Sequence, residues 1–305
     1  MKARYRSLEP LVRWRELPRP IDWRAQFGRD APLEAELGFG NGEFLVRRAQ
    51  THPQRNFIGI ELEWGSVYRA LRRIAQLDVT NIRVVQLDAR VALERLFAAR
   101  SLAHAYALFP CPWPKRRHTK HRLFAHDFLR LLNSRLQARG DARIVTDSPS
   151  YAAWIQAQAR RTGLAIDPVL VHPGADTKYE RKWQAQGQQL FHELRLSKRR
   201  HVDVPVRKEA NVETYRIARF DPERFRPSDV HGDVTVEFKD FLFDAQRRRA
   251  MVRTVVAERG FTQDFWIELV HGPRGWHIRP SRGCQLVPTL GVQQALDLTR
   301  QAARG

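Results

Sequence analysis

Only two cysteines, Cys111 and Cys284, occur among the 305 residues. That is too few for a disulfide framework or a cysteine-built zinc site. The 11 histidines, among them His104, His192 and His271, are scattered without ligand spacing, so no metal is expected. No apolar run approaches the roughly 18 residues of a membrane span. Nor does a basic amphipathic helix or a lipidation signal mark a membrane-surface protein. The basic opening, Met1 to Arg6, leads into no apolar stretch, so no secretory signal is expected and the cytoplasm is the expected compartment. Acidic residues are scarce: 33 Asp and Glu stand against 53 Lys and Arg, a net charge of +20. A balance this basic favours a polyanionic partner, most simply nucleic acid, over a merely solubilising surface.

The chain has no internal repeat and no long low-complexity segment. Its length suits one large or two ordinary domains. The polar, proline-containing stretch from Ser197 to Lys208 reads as a boundary, giving domains 1–197 and 198–305. In the first, apolar strand patterns at 33–37, 56–60, 82–87, 103–109 and 142–146 alternate with helical patterns at 42–50, 67–77, 91–99, 124–137 and 150–161. Such alternation predicts an α/β fold with a doubly wound, mostly parallel sheet, whose ligands bind at the carboxyl ends of the strands. The second reads as a small α+β domain. Strands are expected at 234–238, 265–270 and 275–279, a basic helix at 246–259 and a closing helix at 290–303.

Chemistry-bearing residues fall where that architecture wants them. Glu36-Leu37-Gly38-Phe39-Gly40-Asn41-Gly42 ends the first strand with glycines that allow a tight turn and close approach to a ligand. A dinucleotide fingerprint would need glycine where Glu43 stands. A methyl-donor loop needs an acid just before the glycines, and Glu36 fits; a plain structural turn is the third reading. Glu61 ends the second strand, placed for ribose hydroxyls, and Asp88 ends the third, within reach of an adenine amino group or serving as a helix cap. Three acids at three strand ends in so basic a chain favour S-adenosylmethionine.

After the fourth strand comes Phe109-Pro110-Cys111-Pro112-Trp113-Pro114-Lys115-Arg116-Arg117-His118-Thr119-Lys120-His121-Arg122. No acid occurs between Glu94 and Asp127, so this loop carries an uncompensated positive field. Prolines stiffen it, Trp113 offers a stacking face, and Arg116, Arg117, Lys120 and Arg122 can hold RNA phosphates. Asp147, at the fifth strand end, is a candidate for guanine recognition or a helix cap before Ser148-Pro149.

With these motifs in view, the sequence resembles the bacterial tRNA (guanine-N7)-methyltransferase family. The resemblance runs through the glycine loop, Asn56 to Glu61, Leu87-Asp88-Ala89, Pro112 to Lys120, Thr146-Asp147 with Tyr151-Ala152, and Thr177-Lys178-Tyr179-Glu180. It implies a methyltransferase fold, S-adenosylmethionine as cofactor, and N7 methylation of a variable-loop guanosine in tRNA. By matching positions, Glu36, Gly38, Gly40, Gly42, Glu61 and Asp88 would hold the cofactor. Lys115, Asp147, Thr177, Lys178, Tyr179 and Glu180 would hold the substrate. Two departures stand out. Cys111 replaces an aspartate to which the resemblance assigns catalysis and a cofactor contact, and residues from about 198 onward match nothing in the family core. The first opens two rival readings: an RNA binder that has lost turnover, and a C5-pyrimidine methyltransferase with Cys111 as nucleophile.

Overall fold

The computed structural model describes residues 8–207, 210–258, 260–284 and 286–304, with only the backbone of Arg116. Arg259, at the end of the expected basic helix, lies outside the described residues. The chain divides after Arg207 into two units.

In the first unit, β1 (Leu33–Leu37), β2 (Asn56–Glu61), β3 (Ile82–Gln86), β4 (Leu102–Leu108) and β5 (Leu136–Thr146) are connected by helices. α1 (Trp23–Phe27) precedes them, and α2 (Glu43–Thr51), α3 (Trp64–Gln76), α4 (Ala89–Arg95), α5 (His126–Arg135) and α6 (Pro149–Gln158) follow the successive strands. Then come β6 (Leu164–Val171), α7 (Lys178–Ala185) and β7 (Phe191–Lys198). The seven strands lie in the order β3-β2-β1-β4-β5-β7-β6, and only β7 runs antiparallel to its neighbours. Strand order reverses between β1 and β4, the position at which doubly wound sheets open a ligand crevice. The expected five strands and five helices are present with shifted ends; β5, for example, begins six residues before the expected start. The β6–β7 hairpin and α7 had no counterpart in the sequence reading.

Apolar side chains on both faces of the central strands form the core, as a sheet covered on two sides requires. All five residues of β1 are buried, and two of them are glutamates. Glu34 is matched by Arg48 and Arg55, at 2.8 and 2.5 Å. Glu36 has no such pair. Each rim of the sheet is also treated distinctly. Leu11 bridges to Val84 of β3, with Val12 donating to the Val84 carbonyl and Val84 to that of Pro10. At the far rim, β6 carries Pro168 opposite Leu194.

The expected boundary falls within β7, ten residues before the observed division. Residues after β7 stay with this unit because buried polar groups hold them. Asn133 bonds the backbone of Arg200 and Val202, at 2.9 Å each, and the buried Arg135 guanidinium donates to the Val204 carbonyl at 2.6 Å.

The second unit is a five-stranded antiparallel sheet in the order β8 (Tyr215–Ile217), β12 (Gly275–Pro280), β11 (Phe261–Gly272), β10 (Arg249–Glu258), β9 (Val234–Asp244). One face packs on α8 (Leu290–Ala302), closing a core that includes Val252, Ile267, Trp276 and Leu296. The expected basic helix at 246–259 is incorrect: residues 246–258 form a hairpin turn and β10. Ala250, Val252, Thr254, Val256 and Glu258 alternate inward with a period of two, while Arg249 and Arg253 pair with carboxylates on the opposite face. Arg248 takes a positive φ of 49° in the turn. The clustered arginines gave the segment its helical, basic appearance; the β-branched alternation between them decided its structure.

Candidate active site

β1 delivers Glu36 and then a loop in which Gly38, Gly40 and Gly42 take φ values of 73, 55 and 72°. Glycine bears such angles without the penalty other residues meet. At Gly42 a side chain would also collide, since a Cβ there would lie 2.7 Å from that of Ala70. The loop therefore lies flat against α3 and leads straight into α2.

Glu61, at the end of β2, locks this loop. Its carboxylate accepts the Gly40 N–H at 2.9 Å, and those of Leu62 and Glu63 at 2.8 and 3.1 Å. Asp88 caps α4, accepting from Arg90 and Val91. Glu36 is 3% exposed, and among the described residues its Oε2 has no hydrogen-bond partner. Burial above all, and then the neighbouring Glu61 charge, hold its pKa well above the ordinary carboxylate value. An orphaned buried carboxylate oxygen at a crevice favours a ligand that brings a donor to it, above all a cationic one.

A small crevice of about 70 Å³ opens above Glu36. Glu36, Gly38, Gly40 and Leu108 lie on one side, with Thr177, Lys178 and Tyr179 on another. The latter three open α7, whose first turn Thr177 caps by accepting from the Glu180 N–H. Gly42, Glu61 and Asp88 do not line this crevice. Glu180 differs from the expectation: it is 3% exposed, and its carboxylate accepts the N–H groups of Gly174 and Ala175. It shapes the segment before α7 and is not free to meet a substrate.

Glu43 was not anticipated. As the first residue of α2 it accepts the Lys178 N–H at 2.6 Å and the Arg181 guanidinium at 2.7 Å. It thereby ties α7 to the end of the glycine loop, and Arg47 adds a bond to the Ala175 carbonyl. Two acids flanking the glycines, Glu36 before and Glu43 after, were the available signal.

The loop after β4 is shaped by Phe109 and Trp113, with φ of 55 and 44°. Arg122, expected on phosphate, instead faces inward: it donates to the carbonyls of Pro112 and Trp113 at 2.8 and 3.4 Å. Its guanidinium lies 4.9 Å from the Trp154 ring centre and 5.3 Å from that of Tyr151. Two backbone acceptors and two aromatic faces fix it as the internal brace of the loop. Cys111, Lys115, Arg117 and Lys120 are exposed on the outside; the Arg116 side chain lies outside the described residues. Asp147 does not cap α6, because Ser148 does, accepting from the Tyr151 N–H. Its carboxylate is not engaged as the expected helix cap.

Residues 30–193 match the model of a family described as putative methyltransferase. A tRNA (guanine-N(7)-)-methyltransferase of Chlorobium phaeobacteroides is 42% identical over 182 residues, covering 59% of this chain and 89% of its own. One from Thermus thermophilus is 33% identical over 282 residues, covering 89% of this chain and 87% of its own. The chain belongs to the tRNA (guanine-N7)-methyltransferase family. An Aquifex aeolicus member is 27% identical and also spans 88% of this chain. Matches of that extent run well beyond residue 207, so the second unit does have counterparts within the family. The Chlorobium member, matched over most of its own length by 59% of this chain, shows that the methyltransferase unit also occurs without most of it.

Proposed function

We propose that this protein transfers a methyl group from S-adenosylmethionine to N7 of a guanosine in tRNA, acting in the cytoplasm. The observation that carries the reading is the unpartnered, buried Glu36 Oε2 on the wall of a glycine-lined crevice, where the strand order reverses. S-adenosylmethionine, when bound, supplies an electrophilic methyl on a cationic sulfur. Glu36 would accept its amino group at Oε2, the buried carboxylate oxygen left without a hydrogen bond. Gly38, Gly40 and Gly42 would let it approach the backbone closely, while Glu61 keeps the loop in shape and offers its remaining lone pairs to the ribose. Asp88, with one oxygen capping α4, would use the other toward the base.

Guanine N7 carries an in-plane lone pair, so no proton needs to leave before transfer. The protein's task is then to align that lone pair with the methyl, mainly a matter of positioning. Thr177, Lys178 and Tyr179 stand on the crevice rim to do this, with Asp147 to accept from the guanine edge and Lys115 to meet a phosphate. Arg116, Arg117 and Lys120 would follow the backbone of the tRNA. Because the step consumes no base, Cys111 in place of the family's aspartate is compatible with turnover.

Incubation with labelled S-adenosylmethionine and tRNA lacking the modification, followed by nucleoside analysis, tests the reading. N7-methylguanosine is expected. A 5-methylpyrimidine, or cofactor binding without any product, would replace it with one of the rival readings.

A further inference from the structure

We propose that the methyltransferase unit carries a second phosphate-binding site on its flank, which takes a backbone phosphate of tRNA away from the nucleotide being methylated. The proposal rests on tRNA being the substrate. Arg130 of α5, Arg161 just beyond α6, and Arg200 beyond β7 line one cavity together with His126 and His201. The single carboxylate on its wall, Asp203, stands 3.8 Å from the His201 ring. Among the described residues, none of the three guanidiniums has an ion-pair partner. Elsewhere in this unit arginines converge on acids: Arg48 and Arg55 on Glu34, Arg143 and Arg195 on Glu193. With one carboxylate against three guanidiniums the cavity keeps a net positive charge, and an anion between them offsets their mutual repulsion.

The walls are built rather than loose. Arg199 and Arg200 both donate from the backbone to the Gly163 carbonyl, at 3.0 and 3.1 Å. A Cβ on Gly163 would lie 2.3 Å from the Arg200 carbonyl, so this close approach admits only glycine. His126 is held by Gln158 through its N–H and its ring, at 3.1 Å each. Guanidinium forks arriving from three separate segments suit the several acceptor oxygens of a phosphate better than a planar carboxylate. The cavity opens on the surface, and His126 and Arg130 lie one helical turn apart on the helix that directly follows the basic loop at 115–122. An extended polyanion that crosses that loop is led along α5 to this place.

The test compares the full-length wild type with the double variant Arg130→Gln, Arg200→Gln, and with a charge-matched control, Arg13→Gln, Arg24→Gln. Equilibrium tRNA binding is measured across a salt series, together with steady-state methylation and a titration with inorganic phosphate. The expected result is a log–log salt slope reduced by roughly 0.7–0.9 for each phosphate the protein no longer neutralises. KM for tRNA should rise several-fold with kcat preserved, and the control should behave as wild type. An unchanged slope, or an equal reduction in the control, overturns the site. So does loss of inorganic phosphate binding with the tRNA slope intact, which would identify a free-anion site instead. Absence of N7-methylguanosine from the wild type would overturn the proposed function, while the binding slopes would still judge this site.

Discussion

Glu36 makes a measurable demand on the free protein. A carboxyl whose pKa is raised by folding contributes fully below its unfolded value, near ~4.3, and loses that contribution as pH rises through the folded value. Its folded pKa stands well above the ordinary one, so stability without cofactor should fall as pH rises from about 4.3 toward the folded value. Glu36→Gln should flatten the profile of thermal unfolding against pH; identical slopes would remove Glu36 as its source. The same substitution should weaken S-adenosylmethionine by about 1.5–3 kcal/mol, the range for a hydrogen bond to a charged group, as calorimetry can read. Cys111 separates mechanisms. If the reaction runs by positioning, Cys111→Ser keeps much of the rate and Cys111→Asp keeps or raises it. If the sulfur attacks the ring, both variants lose turnover, and methyl-transfer assays on folded variants decide. Glu36 was legible because it stands directly before the glycine turn at the end of the first strand, where a methyl-donor loop wants an acid. The roles of Arg122 and Glu180 were not, because a side chain's direction depends on packing that no local spacing records.

Gly59 sits mid-strand in β2, where a Cβ would come within 2.5 Å of Leu45 and 2.7 Å of Phe39. Gly59→Ala should therefore destabilise the protein by about 1–3 kcal/mol through overpacking. By contrast Gly38→Ala, with nothing near its Cβ, bears only the strain of its backbone angle. Denaturant titration of both separates crowding from strain, and equal losses would refute the distinction. The alternation of strand and helix from β1 to α6 was readable because buried parallel strands are continuous apolar runs and their covering helices repeat differently. β6 escaped because Asp167 and Pro168 interrupt its apolar run, and β10 because its outward arginines concealed the inward Val252, Thr254 and Val256. In both cases position in the sheet outweighed local appearance: one strand is at a rim, the other has a face lined with ion pairs.

The net charge of +20 will draw RNA from a distance, and salt should dissolve that attraction steeply. Replacing Lys115, Arg117 and Lys120 together by Gln should reduce the log–log salt slope of tRNA binding by roughly 0.7–0.9 for each phosphate left unneutralised. An unchanged slope would place the RNA elsewhere. Arg122 is excluded from that set because it braces the loop from within. The charge can hold molecules apart in dilute salt, but not once RNA has neutralised it, and at that point the rims of the seven-stranded sheet decide how copies behave. Exposed strand rims add strands from other chains, the first step toward insoluble fibrils. Here the N-terminal segment already occupies the pairing groups of Val84, while Pro168 withholds an N–H from any newcomer at β6. Pro168→Val should leave the fold intact, yet light scattering of the tRNA-bound variant should rise on storage while the wild type stays clear. Two small backbone arrangements, far from any chemistry, would thus keep this basic enzyme in solution while its charge is cancelled by its own substrate.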